Sequence, residues 1–211
     1  MRTRIKFCGM TRVEDVQFAA ALGVDAIGLI FAPRSPRRID LPTARLLRGA
    51  LPPFVAAVAL TVDAEPAQVR ELVQGLRPAL LQFHGEEAPE DCATAGVPFL
   101  KAVPMGDVAD AAAYAARYSA ASGFVFDSHV AGGDGGGGRV FDWRRLPSGF
   151  ARPLVLAGGL DASNVFEAVR GVRPYAVDVS SGIESSPGVK DRERMRRFVA
   201  EVRRADGERD D

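Results

Sequence analysis

Short apolar runs alternate with longer stretches of helical periodicity along the whole chain. The runs at 5–8, 26–31, 55–60, 80–83, 99–103, 123–126, 153–156 and 176–179 are mostly rich in Val, Ile, Leu or Phe. That composition suits parallel strands covered on both faces. The intervening spacing predicts helices near 13–21, 43–51, 66–76, 89–95, 108–117, 141–146, 163–171 and 191–203. Start signals such as Asp63 to Pro66 and Asp161 to Ser163 open several of them. Strict alternation predicts a parallel sheet with crossover helices. An open doubly wound sheet shares that pattern, but eight repeats fit a closed (β/α)8 TIM barrel of one domain. The barrel is expected over residues 1–204, with a frayed polar tail at 205–211.

Side chains alternate between the two faces of a strand. With Ile5 and Phe7 turned to the helices, Lys6 and Cys8 face the interior. Gln82 and His84 point together, as do Lys101 and Val103, and Asp178 and Ser180 look inward between Val177 and Val179. Val125 and Asp127 alternate with Phe124 and Phe126. So many polar groups on an inner face exceed what packing requires, since each unsatisfied one costs about 1–3 kcal/mol. Closure brings the last strand beside the first, which predicts contact between Lys6 and Asp178. Cys8 and Asp127 fall at the carboxyl ends of their strands, where such barrels carry their chemistry.

Two late turns have the form of an anion cradle. Leu156-Ala-Gly-Gly-Leu160 follows the seventh strand and Val179-Ser-Ser-Gly-Ile183 the eighth. Glycines let main-chain N–H groups approach a ligand, and helix N-termini favour negative charge. Either turn alone could serve only to reverse the chain; together, after strands seven and eight, they point to phosphate. The expected contacts are Gly158, Gly159, Ser180, Ser181 and Gly182. The glycine run at 132–138 is expected to form a mobile loop over the same face.

Composition narrows the function classes. Lys plus Arg and Asp plus Glu both total 27, so no net basic charge favours nucleic acid or a membrane surface. No uninterrupted apolar stretch reaches the roughly 18 residues that a membrane span needs, and no signal peptide is expected from the charged opening residues. Two cysteines, Cys8 and Cys92, cannot build a disulfide framework, which suits a cytoplasmic setting. His84 and His129 form no two-histidine helical motif, and no carboxylate cluster shows metal-ligand spacing. No metal and no cofactor are therefore expected. A monomer and a homodimer are both compatible with the sequence.

The ordered motifs resemble the phosphoribosylanthranilate isomerase family. They are Lys6-Phe-Cys-Gly-Met-Thr11, Gly28-Leu-Ile-Phe31 with Ser35-Pro-Arg37, Gln82-Phe-His-Gly85, Phe126-Asp127 and Phe141-Asp-Trp143. Ala157-Gly-Gly-Leu160 with Asn164-Val165, Val177-Asp-Val-Ser-Ser-Gly-Ile-Glu184, Pro187-Gly188 and Lys190-Asp191 complete the set. Phe7 and Phe83 replace more usual aliphatic residues, and the glycine run is longer than the family's. The resemblance implies an Amadori rearrangement of the small-molecule substrate N-(5-phosphoribosyl)anthranilate to 1-(2-carboxyphenylamino)-1-deoxyribulose 5-phosphate, a step of tryptophan biosynthesis.

Carried over from those motifs, Asp127 is the general acid that opens the ring and Cys8 the general base that removes the C2 proton. Ordinary pKa values of about 3.9 and 8.5 suit neither role, so the assignment expects Asp127 raised by burial and Cys8 lowered by nearby positive charge. Arg37 is the candidate for gripping the anthranilate carboxylate bidentately. His84 and Asp178 are expected as further substrate contacts. Outside this context Cys8 would be a small strand hydrophobe and Asp127 a turn residue. Cys92 keeps such a structural reading, and His129 is expected on a surface loop. The rivals are another phosphosugar enzyme on the same barrel, or a phosphate-ligand sensor without turnover. The cysteine ending the first strand fits the former poorly, and the presence of both Cys8 and Asp127 speaks against the latter.

Overall fold

The computed structural model describes residues 2–129 and 140–208. Eight parallel strands close into one barrel in sequence order: β1 Arg4–Phe7, β2 Ala26–Ile30, β3 Ala56–Thr61, β4 Leu80–Phe83, β5 Phe99–Pro104, β6 Gly123–Asp127, β7 Leu154–Leu156 and β8 Ala176–Val179. The helices are α1 Val13–Ala21, α2 Leu41–Gly49, α3 Pro66–Leu76, α4 Pro89–Ala93, α5 Ala111–Ala116, α6 Val165–Val172 and α7 Arg192–Gly207. A small hairpin, β9 Glu184–Ser186 with antiparallel β10 Val189–Lys190, follows β8.

Local chemistry explains the helix ends. Asp40, Asp110 and Asp191 each accept backbone N–H bonds at the starts of α2, α5 and α7, satisfying donors that a first turn leaves open. A reciprocal Glu65–Gln68 capping box starts α3, ahead of Pro66. The signal read at Asp63 therefore lies slightly too early. The helix expected at 141–146 is only a 3₁₀ turn, Trp143–Arg145. Leu146 is extended there, at ψ 140°, because the following Pro147 disfavours a helical residue before it. At the other end, α7 runs through Gly207 rather than stopping at the expected domain boundary of 204. Ala205 is buried, and the Asp206 carboxylate accepts from Thr3 N and Oγ, both at 2.7 Å. The start of the polar tail, at 205–207, conceals a helical edge that holds Thr3, just ahead of β1.

The main core lies between barrel and helices, joining Ile5, Phe7, Leu81, Phe124, Phe126 and Val177 to residues such as Val16, Leu47, Leu72 and Phe198. Inside the barrel are two smaller apolar groups. Leu100, Val125, Val155, Ala157 and Ala176 form one, and Cys8, Ile30, Ala32 and Leu60 the other. Strand parity holds for β1, β4, β6 and β8, but β5 corrects the expectation for Lys101. Phe99 and Val103 belong to the outer core and Leu100 to the interior. Lys101 therefore faces the helices, where its ammonium donates to Gly85 O and, at 3.0 Å, to Glu87 Oε2. The edge-on packing of Phe99 against Phe83, centroids 5.5 Å apart, anchors that parity.

Candidate active site

The strands' carboxyl ends surround a cavity of about 720 Å³, counting the part open to solvent. Cys8 comes from the end of β1, Arg37 from the loop after β2, and His84 from the end of β4. Asp127 ends β6, Gly158 and Gly159 follow β7, and Asp178, Ser180 and Ser181 come from β8 and its turn; all line this one cavity. Gly182 does not join them. A Cβ there would run into the Leu160 carbonyl oxygen and lie 2.9 Å from Asp161 Cβ. Its glycine lets the two late turns pack together, and so shapes the wall from behind. The glycine run at 132–138 lies outside the described residues.

Lys6 and Asp178 stand in register across the β1–β8 seam, and their ion pair measures 2.6 Å. Burial pushes the Lys6 ammonium down, but Asp178 and Cys8 outweigh it and lift it to about 12. Burial also raises Asp178 despite the opposing Lys6. Its Oδ1 is buried with no hydrogen-bond partner and its residue faces the cavity, which leaves an acceptor for a ligand hydroxyl.

Neither Cys8 nor Asp127 has the expected shift. Burial raises the Cys8 thiol, and Lys6 and Lys190 only partly oppose it. Burial also pushes the Asp127 carboxyl up, but the His129 and His84 rings and the His129 N–H hold it well below the usual range. His129 is the residue that parity and motif reading missed. It is buried rather than on a surface loop. Its ring stacks on His84 at 4.1 Å, with Nδ1 3.4 Å from Asp127 Oδ1. Its own N–H donates to the same oxygen at 3.1 Å. Burial, and after it the His129 ring, push His84 far down. The Gln82 amide nitrogen lies 3.1 Å from His84 Nδ1 and donates to it.

Arg37 is buried against Glu184, to which Nε and Nη2 donate at 2.9 and 2.7 Å. The forked edge expected to grip a carboxylate is thus occupied, and the guanidinium can offer a ligand only its terminal edge. Lys190 donates to Glu184 Oε1, Cys8 O and Ser180 O at 2.7, 2.6 and 3.1 Å. Glu184 and Lys190 were visible only as letters of a motif. Their work is to tie Arg37 and the ends of β1 and β8 to one hairpin.

Gly158 and Gly159 take left-handed φ values of +85° and +67°. Asn164 fixes this turn, donating to Gly159 O at 2.8 Å and accepting from Asp161 N at 3.0 Å. The sequence shows no metal motif, yet among the described residues the fold gathers one possible ligand set, His84, Asp127 and His129. His84 comes from the end of β4, far in sequence from Asp127 and His129 at the end of β6.

The family model described as N-(5'-phosphoribosyl)anthranilate (PRA) isomerase matches residues 5–201. An N-(5'-phosphoribosyl)anthranilate isomerase of Halorhodospira halophila is 56% identical over 206 residues, covering 98% of this chain and 99% of the relative. The crystal structure of phosphoribosyl anthranilate isomerase from Thermus thermophilus superposes with a TM-score of 0.85 at 37% identity, over 96% of this chain and 99% of that one. A phosphoribosyl anthranilate isomerase in complex with reduced 1-(o-carboxyphenylamino)-1-deoxyribulose 5-phosphate gives 0.80 at 34% identity, over 95% and 98% of the two chains. With its closed barrel and its strand-end thiol and carboxylate, the chain belongs to the N-(5'-phosphoribosyl)anthranilate isomerase family.

Proposed function

We propose that this chain catalyses the Amadori rearrangement of N-(5-phosphoribosyl)anthranilate in tryptophan biosynthesis, by acid–base chemistry that needs no metal or cofactor. One observation carries the reading: Cys8 and Asp127 line a single cavity that also has the Gly158–Gly159 turn and Ser180–Ser181 in its wall. The phosphate sits against those late turns. Arg37 meets the anthranilate carboxylate with its terminal edge, while Asp178 Oδ1 and His84 contact the sugar.

Asp127 gives a proton to the ring oxygen as the anthranilate nitrogen forms the C1=N bond and the C1–O bond breaks. Cys8 then removes the C2 proton, leaving an enolamine that tautomerises to the ketone. The resting protein has its proton on the thiol and its charge on the carboxylate; the reacting form has them exchanged. Both forms hold the same number of protons and the same charge. A cytoplasmic setting accompanies this reading, supported by two free, buried cysteines. Among the described residues no helix is long and apolar enough to cross a membrane.

The test is continuous loss of substrate anthranilate fluorescence with purified protein and excess chelator. Turnover is expected. Binding of a phosphorylated product analogue without any turnover would instead identify a sensor.

A further inference from the structure

We propose that His84, Asp127 and His129 form a binding site for a zinc-like divalent cation, whose occupancy blocks the active site. A ring nitrogen from each histidine and an oxygen from Asp127 all lie within 4.8 Å of one another. Two histidines and a carboxylate make a three-ligand set that zinc accepts, with a fourth position left for water. Here that position opens on the cavity, because His84 and Asp127 both line it.

Three buried atoms with no hydrogen-bond partner make this more than a chance cluster: His84 Nε2, His129 Nδ1 and Gln82 Oε1. Buried polar atoms are ordinarily satisfied, and two of these belong to the two histidine rings of the ligand set. The third has a use as well. While the Gln82 amide nitrogen donates to His84 Nδ1, the neutral ring carries its proton on Nε2 and has no lone pair there. Turning the amide over presents Oε1 to a proton on Nδ1 and frees Nε2 for a metal. Metal-bound histidines commonly donate their other N–H to such an oxygen. Ligand bonds of about 2.0–2.2 Å would draw the donors closer than the 4.8 Å over which they now spread, and the stacked rings would splay so that each ring plane holds the ion. The cation would take Asp127 and His84 away from a substrate. It is an inhibitor's site, compatible with metal-free catalysis.

The experiment reads binding directly, without substrate, and so stands apart from the isomerase reading. Metal-free protein is titrated with Co²⁺ and followed by visible absorption, then challenged with Zn²⁺. One equivalent should give the intense bands of a low-coordinate nitrogen–oxygen site, with no thiolate charge-transfer band, and Zn²⁺ should erase them. His129→Ala should weaken Zn²⁺ binding more than about a hundredfold, beyond the loss of an outer hydrogen bond. His129→Gln, close in size, guards against misfolding and should weaken it similarly. A phosphorylated product analogue should compete with the ion. Absence of the bands, a thiolate band that places the ion on Cys8, or unchanged affinity in a folded His129 variant would overturn the proposal.

Discussion

Gly28 has no side chain because Cys8 stands against it: a Cβ there would lie 2.5 Å from Sγ and 3.0 Å from the Cys8 Cα. The thiol is therefore packed from the β2 side while its other side opens on the cavity, and this packing is the desolvation that raises it. Its reactivity should report the shift. Iodoacetamide should modify Cys8 slowly at neutral pH, with a rate that climbs only above the ordinary thiol value of about 8.5. Peptide mass analysis separates it from Cys92, which burial pushes up to about 12. A neutral-pH rate equal to that of a free thiol would contradict the burial argument. The charges near Cys8 were readable from strand parity, in the case of Lys6. Lys190 was not, because its approach depends on a hairpin that no periodicity announces.

Among the elements, the strands were the most legible, because each is a short apolar run bounded by turn residues. The helix expected at 141–146 was not, since Pro147 leaves only the 3₁₀ turn Trp143–Arg145. The facing of Lys101 was missed for another reason. Parity says which residues share a face, but only packing, here Phe99 on Phe83, says which face is inside. The turn after β7 yields a sharper test. A Cβ on Gly158 would lie 2.5 Å from Ser128 N, and φ there is +85°. Gly158→Ala should destabilise the protein by about 1 kcal/mol or more and raise KM with less effect on kcat. The preference for a phosphorylated over a dephosphorylated product analogue should shrink with it. An unchanged preference would remove this turn from the proposed phosphate site.

At the scale of the whole molecule, the barrel depends on the seam between its first and last strands. Four residue pairs join β1 to β8, from Arg4–Ala176 to Phe7–Val179. Outside the seam, Phe7 packs edge-on to Phe198 of α7 at 6.0 Å, and Asp206 holds Thr3. Inside it lies the Lys6–Asp178 pair. Removing one partner of a buried pair leaves an uncompensated charge, so Lys6→Met should cost about 3–5 kcal/mol in denaturant unfolding. Lys6→Met combined with Asp178→Leu should recover much of that loss. A cost below about 1 kcal/mol for Lys6→Met would mean that the pair is solvated and does not brace the closure. That these two residues would meet followed from eight repeats and closure alone; that α7 reinforces the seam did not, because its last turn reads as solvent-loving.

The assignment of a thiol base and a carboxyl acid is tested most directly by separating chemistry from binding. Cys8→Ala and Asp127→Asn should each lower kcat by about 10²–10⁴-fold, while the dissociation constant of a product analogue, measured by titration, stays nearly unchanged. Full turnover in either variant would contradict that residue's part in the reaction.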